Sequence, residues 1–124
     1  YTLPLDVDLM NEAAKILFDF TDFQCFSKVK TDVKTYDCKL MEAHWEVDQN
    51  SLNFKIKADR FLRNMVRAIV GTMIEVGAKK RSLDEFREII RSKNRSNAGT
   101  SAPAKGLYLI NIDYSKSIYI DEKP

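Results

Sequence analysis

The sequence predicts an α+β fold, in which a mostly antiparallel sheet has helices packed on one face. Three observations support this prediction. Several segments carry apolar residues at helical spacing, and two neighbouring segments alternate apolar and polar residues around a turn. The elements follow one another in the order helix, strand, strand, helix, helix, strand. A length of 124 residues with 44% hydrophobic residues fits a single domain spanning 1–124 with a core of its own.

The first helix is predicted to begin at Asp6, whose side chain can cap free backbone N–H groups, and to end near Asp19. Its apolar residues recur at helical spacing: Leu9, Met10, Ala13, Ile16 and Leu17. Three phenylalanines follow with a spacing of three: Phe20, Phe23 and Phe26. Aromatic residues in this pattern are typical of a core anchor for an irregular segment.

A β-hairpin is predicted next. Between Val33 and Val47 the apolar residues change parity, and a β-bulge near Leu40 and Met41 would reconcile the two halves, because one extra residue moves side chains to the other face. Residues 48–51 read as a turn, and the segment from Leu52 to Ala58 alternates as a return strand.

The segment Phe61–Gly77, FLRNMVRAIVGTMIEVG, is predicted to be an amphipathic helix that ends at Gly77 in a left-handed cap. Its broad apolar arc contains Phe61, Leu62, Met65, Val66, Ile69, Thr72, Met73 and Val76. The opposite face carries Arg63, Asn64, Arg67, Gly71 and Glu75. A glycine inside a helix costs about 1 kcal/mol, so Gly71 indicates that another group approaches this face closely. From periodicity alone, basic residues opposite an apolar arc are more often a solvated face.

The rest of the chain begins with an S-x-x-E capping box at Ser82, which opens a helix from Leu83 to about Lys93. The segment 94–106 is rich in Asn, Ser, Ala and Gly and is predicted to be a loop, and Leu107–Tyr114 is predicted to be the third strand. The tail 115–124 is expected to be loosely held.

Composition and isolated reactive residues exclude several function classes. No uncharged apolar run reaches the length of a membrane span and nothing resembles a signal peptide, so a soluble, cytoplasmic protein is expected. Cys25 and Cys38 lack CxxC spacing, which favours buried thiols over a zinc site or a disulfide. His44 has no matching nucleophile motif and is interpreted as structural or exposed.

Basic residues are distributed in patches, although a net charge of +2 is too small to indicate nucleic-acid binding by itself. The patches are Lys28, Lys30 and Lys34; Arg60, Arg63 and Arg67; Lys79, Lys80 and Arg81; and Arg91, Lys93 and Arg95. Separated cations suit a folded RNA, whereas cations at helix ends also compensate the helix dipole. We expect a minority of these patches to serve RNA.

Three ordered blocks resemble the C-terminal half of one family, bacterial tRNA pseudouridine synthase A. The Phe61–Gly77 helix matches the family's FLRxMVRxIVGxxxEVG pattern, Pro4–Phe26 resembles its helix and HDFxxF segment, and Ser101–Tyr114 resembles its TAPAxGLYLxxVxY strand. Two departures stand out. Thr21 replaces the histidine of HDFxxF, and the GRTDxGVHA segment that carries the family's nucleophilic aspartate does not occur in the chain.

This resemblance implies an activity and a role for several residues. The family isomerises uridine to pseudouridine in the anticodon arm of tRNA, breaking the N-glycosidic bond and rejoining C1′ to C5, and uses no cofactor or metal. Arg67 matches the arginine that forms an ion pair with the nucleophilic aspartate, and Leu107 matches a leucine near the target base, although a core strand position explains Leu107 equally well. Gly106 precedes that leucine and suits a turn. Arg63 and Asn64 are further candidates for substrate binding.

The implied partners are tRNA, the missing N-terminal half of the same protein and a second copy in a homodimer, with no membrane. Alone, the chain is expected to be inactive because it lacks the aspartate. Two other functions remain open: a non-catalytic RNA-binding module, and a structural dimerisation domain.

Overall fold

The computed structural model of the chain describes residues 5–28, 35–48, 51–99, 107–112 and 115–121, the last two ranges as strand backbone. In chain order the elements are α1 (Val7–Ile16), β1 (Leu40–Asp48), β2 (Ser51–Ala58), α2 (Met65–Gly77), α3 (Leu83–Ser92), β3 (Leu107–Ile112) and β4 (Ser115–Asp121). Short 3₁₀ turns follow α1, precede β1 and follow α3. The strands form one antiparallel sheet in the order β1-β2-β4-β3. The predicted α+β class is confirmed.

The hairpin of β1 and β2 contains the predicted bulge. Leu40 pairs with Ala58 and Glu42 pairs with Lys57, so Met41 is the extra residue on β1. Its side chain is 50% exposed. The two parities of apolar residues are reconciled by that one insertion, which lets Ala43 and Trp45 face the core.

Strand β4 differs from the expectation for the tail. Residues 115–121, expected to be loosely held, form β4, which pairs with both β2 and β3. Within this segment Ser117 and Tyr119 alternate with Ile118 and Ile120, which is the period-two pattern of a strand. The pattern is short and is followed by charged residues, so a strand was not predicted there. Residues 122–124, and the predicted turn residues 49 and 50, lie outside the described residues.

Helix α1 begins as predicted, because the Asp6 carboxylate accepts a hydrogen bond from the Leu9 N–H at 3.1 Å. One turn later Asn11 reaches strand β1, which lies at an edge of the sheet. Its side-chain oxygen accepts the Trp45 N–H at 2.7 Å, and its amide group donates to the Trp45 carbonyl at 3.2 Å. A polar side chain thereby satisfies both backbone groups of an edge residue.

The core lies where the helices meet the sheet. Its largest fully buried side chains include Phe23, Phe26, Phe54, Phe86, Met10, Leu17, Ile69 and Met73. Ring contacts join separate elements, since Phe26 lies 6.2 Å from Phe86 and Trp45 lies 4.8 Å from Phe54, centroid to centroid. Full burial of each such side chain contributes about 1.5–3 kcal/mol. The predicted anchor is confirmed for Phe23 and Phe26, while Phe20 is partly buried against the same core.

Helix α2 has two boundaries that differ from prediction. It begins at Met65 instead of Phe61, because Asn64 adopts a left-handed conformation with φ of 66° that a helix cannot contain. At the other end the left-handed residue is Lys79, with φ of 64°, and Gly77 is the last helical residue. Gly77 is small for a packing reason, since a Cβ there would lie 2.6 Å from the Met10 sulfur.

Helix α3 is the best-predicted element. Ser82 accepts the Glu85 N–H at 3.1 Å, and Glu85 accepts the Ser82 N–H at 3.0 Å, so both halves of the capping box are present. The helix ends at Ser92, followed by Lys93 with φ of 55°. None of the helices in the described part of the chain has the length and hydrophobicity that crossing a bilayer requires.

Candidate functional site

Helix α2 places Arg67 in an unusual position. Ten of its 13 residues are buried, and Ile74 and Glu75 are half-buried, so Arg67 is the one residue of this helix classed as exposed. Gly71 lies one turn further along the helix and is buried; the close approach predicted there stays a prediction. The helix therefore presents a single cationic side chain to the outside at its first turn.

The first turn of α2 is electropositive for a second reason. Asn64 at the N-cap makes no side-chain capping bond, and no acidic residue occupies the first turn. Free N–H groups give a helix start a partial positive charge, and a cation placed there costs about 0.3–1 kcal/mol unless an anion balances it. The helix dipole does not account for an arginine at this end. The arrangement suits an anionic partner that approaches from outside.

Arg63 and Asn64 lie beside Arg67, in the turn that leads into α2. Arg63 is exposed, and its carbonyl accepts the Lys28 N–H at 3.0 Å. Asn64 is half-buried, and its carbonyl accepts the Ala68 N–H at 3.1 Å, which makes it the last residue before the helix. Three of the predicted site residues are thus brought together at one helix start.

The other two predicted site residues are less fully placed. Leu107 is the first residue of β3, an edge strand, where it pairs with Ile120. Gly106 lies outside the described residues. The structure therefore locates the backbone of the predicted base-contacting strand, and its relation to Arg67 remains a prediction.

Sequence reasoning missed a hydrogen-bonded anchor on α2. The Thr72 hydroxyl donates to the Ala68 carbonyl at 2.8 Å and accepts the Gly99 N–H at 3.0 Å. Gly99 packs so closely that a Cβ would lie 3.2 Å from the Thr72 Cα. Thr72 was assigned to the apolar arc, although a buried threonine in a helix commonly bonds the carbonyl one turn before it. The hydroxyl of a threonine on the apolar arc was therefore the one sign in the sequence that a hydrogen bond forms there.

The cysteines are buried thiols, as predicted. Burial raises the pKa of Cys25 from 9.0 to about 12; Asp22 raises it further and Arg95 opposes the shift. Burial likewise raises the pKa of Cys38 from 9.0 to about 11, against the charge of Arg60. A protonated, buried thiol is a poor nucleophile, so neither side chain is suited to covalent chemistry.

His44 lies among carboxylates on the hairpin. Its ring nitrogens lie 3.4 Å from Glu42 and 3.0 Å from Glu46. The hydrogen bond from His44, followed by that from Lys55, lowers the pKa of the Glu46 carboxyl. These side chains form an exposed charge network on the hairpin. Within the described ranges, no group of three or more His, Cys, Asp and Glu side chains is arranged to hold a metal ion.

Comparison with known proteins identifies the group to which these features are similar. The model of a family described as tRNA pseudouridine synthase matches residues 13–115. A protein of Bacteroides fragilis named tRNA pseudouridine synthase A is 56% identical over 117 residues, covering 94% of this chain and 46% of the relative. Proteins with the same name from Porphyromonas gingivalis and Clostridium acetobutylicum are 51% and 41% identical, over 94% and 92% of this chain. The chain spans about half the length of these relatives.

Proposed function

The chain belongs to the tRNA pseudouridine synthase family, and from that membership we propose that it is one domain, 1–124, forming the C-terminal half of an enzyme that isomerises uridine in the anticodon arm of tRNA. The partner half supplies the nucleophilic aspartate. Together the halves form the cleft in which the N-glycosidic bond of the target uridine breaks and C1′ rejoins the base at C5. The proton of C5 is released to solvent.

In this proposal Arg67 holds the aspartate of the other half. A carboxylate must be ionised to act as nucleophile or base, and a guanidinium within a few ångström lowers its pKa by about 1–3 units. The planar fork of an arginine also grips both carboxylate oxygens, which fixes their direction, and it does not lose its proton at working pH. Arg67 therefore supplies charge and orientation.

One observation supports this role above the others: the exposed position of Arg67 at the first turn of a helix that is otherwise buried or half-buried. That end of α2 has no side-chain cap and no acidic residue of its own. An incoming carboxylate would be attracted by both the guanidinium and the positive end of the helix. The solvated-face interpretation predicts several exposed polar residues along the helix, and α2 does not have them.

The neighbouring residues contact the RNA in this proposal. Arg63, exposed in the turn before α2, contacts a phosphate, and the Asn64 amide can pair with a sugar or base edge. Leu107 at the start of β3 forms an apolar wall for the target base, and Gly106 provides the turn into that strand. We further propose that the complete enzyme works in the cytoplasm as a homodimer and requires no cofactor.

An Arg67→Ala variant of the complete protein tests this assignment. We expect turnover, measured as tritium release from C5-labelled uridine in tRNA, to fall at least about 100-fold, because a misdirected carboxylate loses the reactive geometry. The dissociation constant for tRNA should change little. Arg67→Lys keeps the positive charge but loses the planar fork of donors. Its turnover should therefore lie between those of Arg67→Ala and the unsubstituted protein.

The matched control is Arg91→Ala, which removes an exposed arginine from α3 and should leave turnover unchanged. Equal losses of turnover and of tRNA affinity in Arg67→Ala would assign Arg67 to RNA binding instead. Tight tRNA binding by the unsubstituted complete protein without any tritium release would favour the non-catalytic RNA-binding module.

A further inference from the structure

A polar cleft of about 510 Å³ lies between the segment that follows α1 and the end of α3. Every described residue that lines it has a polar side chain, three are cations and none is an acid. The cations are Lys28, Lys93 and Arg95, and Tyr36 adds a phenolic hydroxyl. The hydroxyls of the three lining serines, Ser27, Ser92 and Ser96, already donate to other groups of the chain. Cations together with hydroxyl donors are the groups that bind phosphate oxygens in proteins.

The positive charge of this cleft is only partly neutralised. Asp22 lies beside it and pairs with Lys93 at 3.6 Å between Nζ and Oδ2. Arg95 donates a hydrogen bond to the Gly99 carbonyl at 3.0 Å, which orders its side chain. The charge of Arg95 also reaches the buried Cys25, where it lowers the thiol pKa against the effect of burial. Lys28 forms no ion pair with another described residue, so the cleft keeps this cationic group beside the pair of Lys93 and Asp22.

Compensation of the α3 dipole explains only part of this arrangement. Lys93 directly follows the last turn of α3, where a cation is favourable. Arg95 belongs to the 3₁₀ turn after the helix, and Lys28 comes from a distant segment of the chain. Cations from separate segments therefore line one concave surface. Compensation of the α3 dipole would place cations only at the end of that helix, so it does not explain Lys28.

The cleft is joined to the proposed active site through the backbone. The Lys28 N–H bonds the carbonyl of Arg63, the residue that leads into α2. We propose that this cleft binds a backbone phosphate of the RNA substrate, next to the target nucleotide held at the start of α2. The inference rests on the proposed function. It adds a phosphate subsite built from Lys28, Lys93 and Arg95, which orients the RNA strand before the reaction.

The test substitutes the two exposed lysines of the cleft and leaves Arg95 in its structural hydrogen bond. The variant is Lys28→Gln/Lys93→Gln in the complete protein, and the measurement is filter binding of tRNA at about 0.05–0.2 M KCl. We expect roughly tenfold weaker binding and a decrease of about 1–2 in the slope of log affinity against log salt. Turnover at saturating tRNA should fall far less than the affinity, because these lysines bind the RNA backbone and do not contact the reacting atoms.

The matched control is Lys79→Gln/Lys80→Gln. It removes the same charge from exposed residues, and it too changes one lysine with a positive φ, since Lys79 has φ of 64° and Lys93 has φ of 55°. The control should change the affinity less than about twofold. An equal loss in both variants would mean that binding depends on overall charge alone, and the proposal would be wrong.

Two further measurements complete the test. Lys28→Arg/Lys93→Arg keeps both charges and should bind tRNA like the unsubstituted protein; if it binds as weakly as the glutamine variant, altered packing causes the loss and the proposal fails. Uridine monophosphate tests for a free nucleotide as ligand. A thermal shift with this nucleotide that the glutamine variant loses, at unchanged tRNA affinity, would make the cleft a small-anion site and overturn the RNA assignment.

The outcome is separable from that of the proposed function. Absence of tritium release with a cleft-dependent salt slope would contradict the enzyme assignment and keep the phosphate subsite. Normal turnover with a salt slope that the cleft lysines do not affect would support the enzyme assignment and contradict the phosphate subsite.

Discussion

Gly77 illustrates at the residue scale how one position can be important for a reason that its sequence context does not reveal. Its place at the end of a helical pattern predicted a left-handed cap. The structure instead has it in helical conformation against the Met10 side chain, with its carbonyl accepting the Asp6 N–H at 2.9 Å. The same glycine thus joins the start of α1 to the end of α2 by close packing and by a hydrogen bond.

The buried thiols lead to a prediction at the same scale. The pKa of a cysteine near 9.0 in the unfolded chain is raised to about 12 at Cys25 and about 11 at Cys38 in the folded chain. Above pH 9 the unfolded state loses these protons first, so the free energy of unfolding falls as pH rises toward the folded pKa values. At about pH 10.5 each thiol should lower it by about 2 kcal/mol relative to neutral pH.

Urea unfolding of the complete protein, followed by fluorescence at about pH 7.5 and about pH 10.5, measures this effect. The control is Cys25→Ala/Cys38→Ala, which is less stable at neutral pH because it leaves cavities but should lose less stability between the two pH values. All other ionisable groups are the same in both proteins, so their contributions cancel in the comparison. Parallel losses in the two proteins would rule out a contribution from the thiols.

At the scale of elements, α2 and α3 start in opposite ways. Helix α3 has a complete capping box and two acidic residues in its first turn, Asp84 and Glu85. Helix α2 has neither, and it carries Arg67 in that place. Local capping stabilises α3, whereas α2 depends on burial of nearly all its residues. The helix whose start is left uncapped is the one that presents the candidate catalytic partner.

Replacement of Ser82 by alanine should destabilise α3 by about 1 kcal/mol, because the Glu85 N–H loses its acceptor. Hydrogen exchange of the α3 amides measures this loss locally, and their protection should decrease roughly fivefold. Ser82→Asp keeps an acceptor at the cap and should retain protection. Unchanged exchange in the alanine variant would show that tertiary packing alone determines the stability of this helix.

Sequence patterns predicted elements well where the determinants are local. The capping box of α3 and the parity change at Met41 both depend on residues within a few positions of one another, and both are confirmed. The start of α2 was predicted four residues too early, since Phe61–Asn64 continue the helical periodicity but Asn64 turns left-handed. Periodicity records which residues are buried and carries no information on the backbone angle of one polar residue.

The whole molecule combines locally predictable elements with pairings that are not local. The class and the hairpin followed from the sequence, whereas the place of β4 between β2 and β3 requires contacts between residues far apart in the chain. The candidate site divides in the same way. Arg67 was found from a motif, but the link from Lys28 to Arg63 and the anchor from Thr72 to Gly99 depend on the folded chain.

Because the chain spans about half of its relatives, we predict that it shows no turnover alone. Tritium release from C5-labelled tRNA should be at background for the chain and clear for the complete protein. Addition of the other half as a separate polypeptide should restore part of the activity, provided that both halves fold. The requirement follows from chemistry, since Arg67 can orient a nucleophile and cannot itself act as one.

Turnover by the chain alone would contradict this prediction and would require a nucleophile among its own carboxylates. The corresponding control is the complete protein with the other half's nucleophilic aspartate changed to asparagine, which should be as inactive as the chain alone.

The amide of Asn11 has a consequence for how such a half can exist before assembly. The Asn11 side chain bonds both the N–H and the carbonyl of Trp45, near the middle of β1. Another strand could therefore not pair with Trp45 along this edge. Continuous pairing of sheets between molecules, as in amyloid, requires an unpaired edge strand on both sides of each molecule. An edge strand whose central N–H and carbonyl are already bonded is a poorer template for an added strand, so Asn11 disfavours edge-to-edge association at this position of β1.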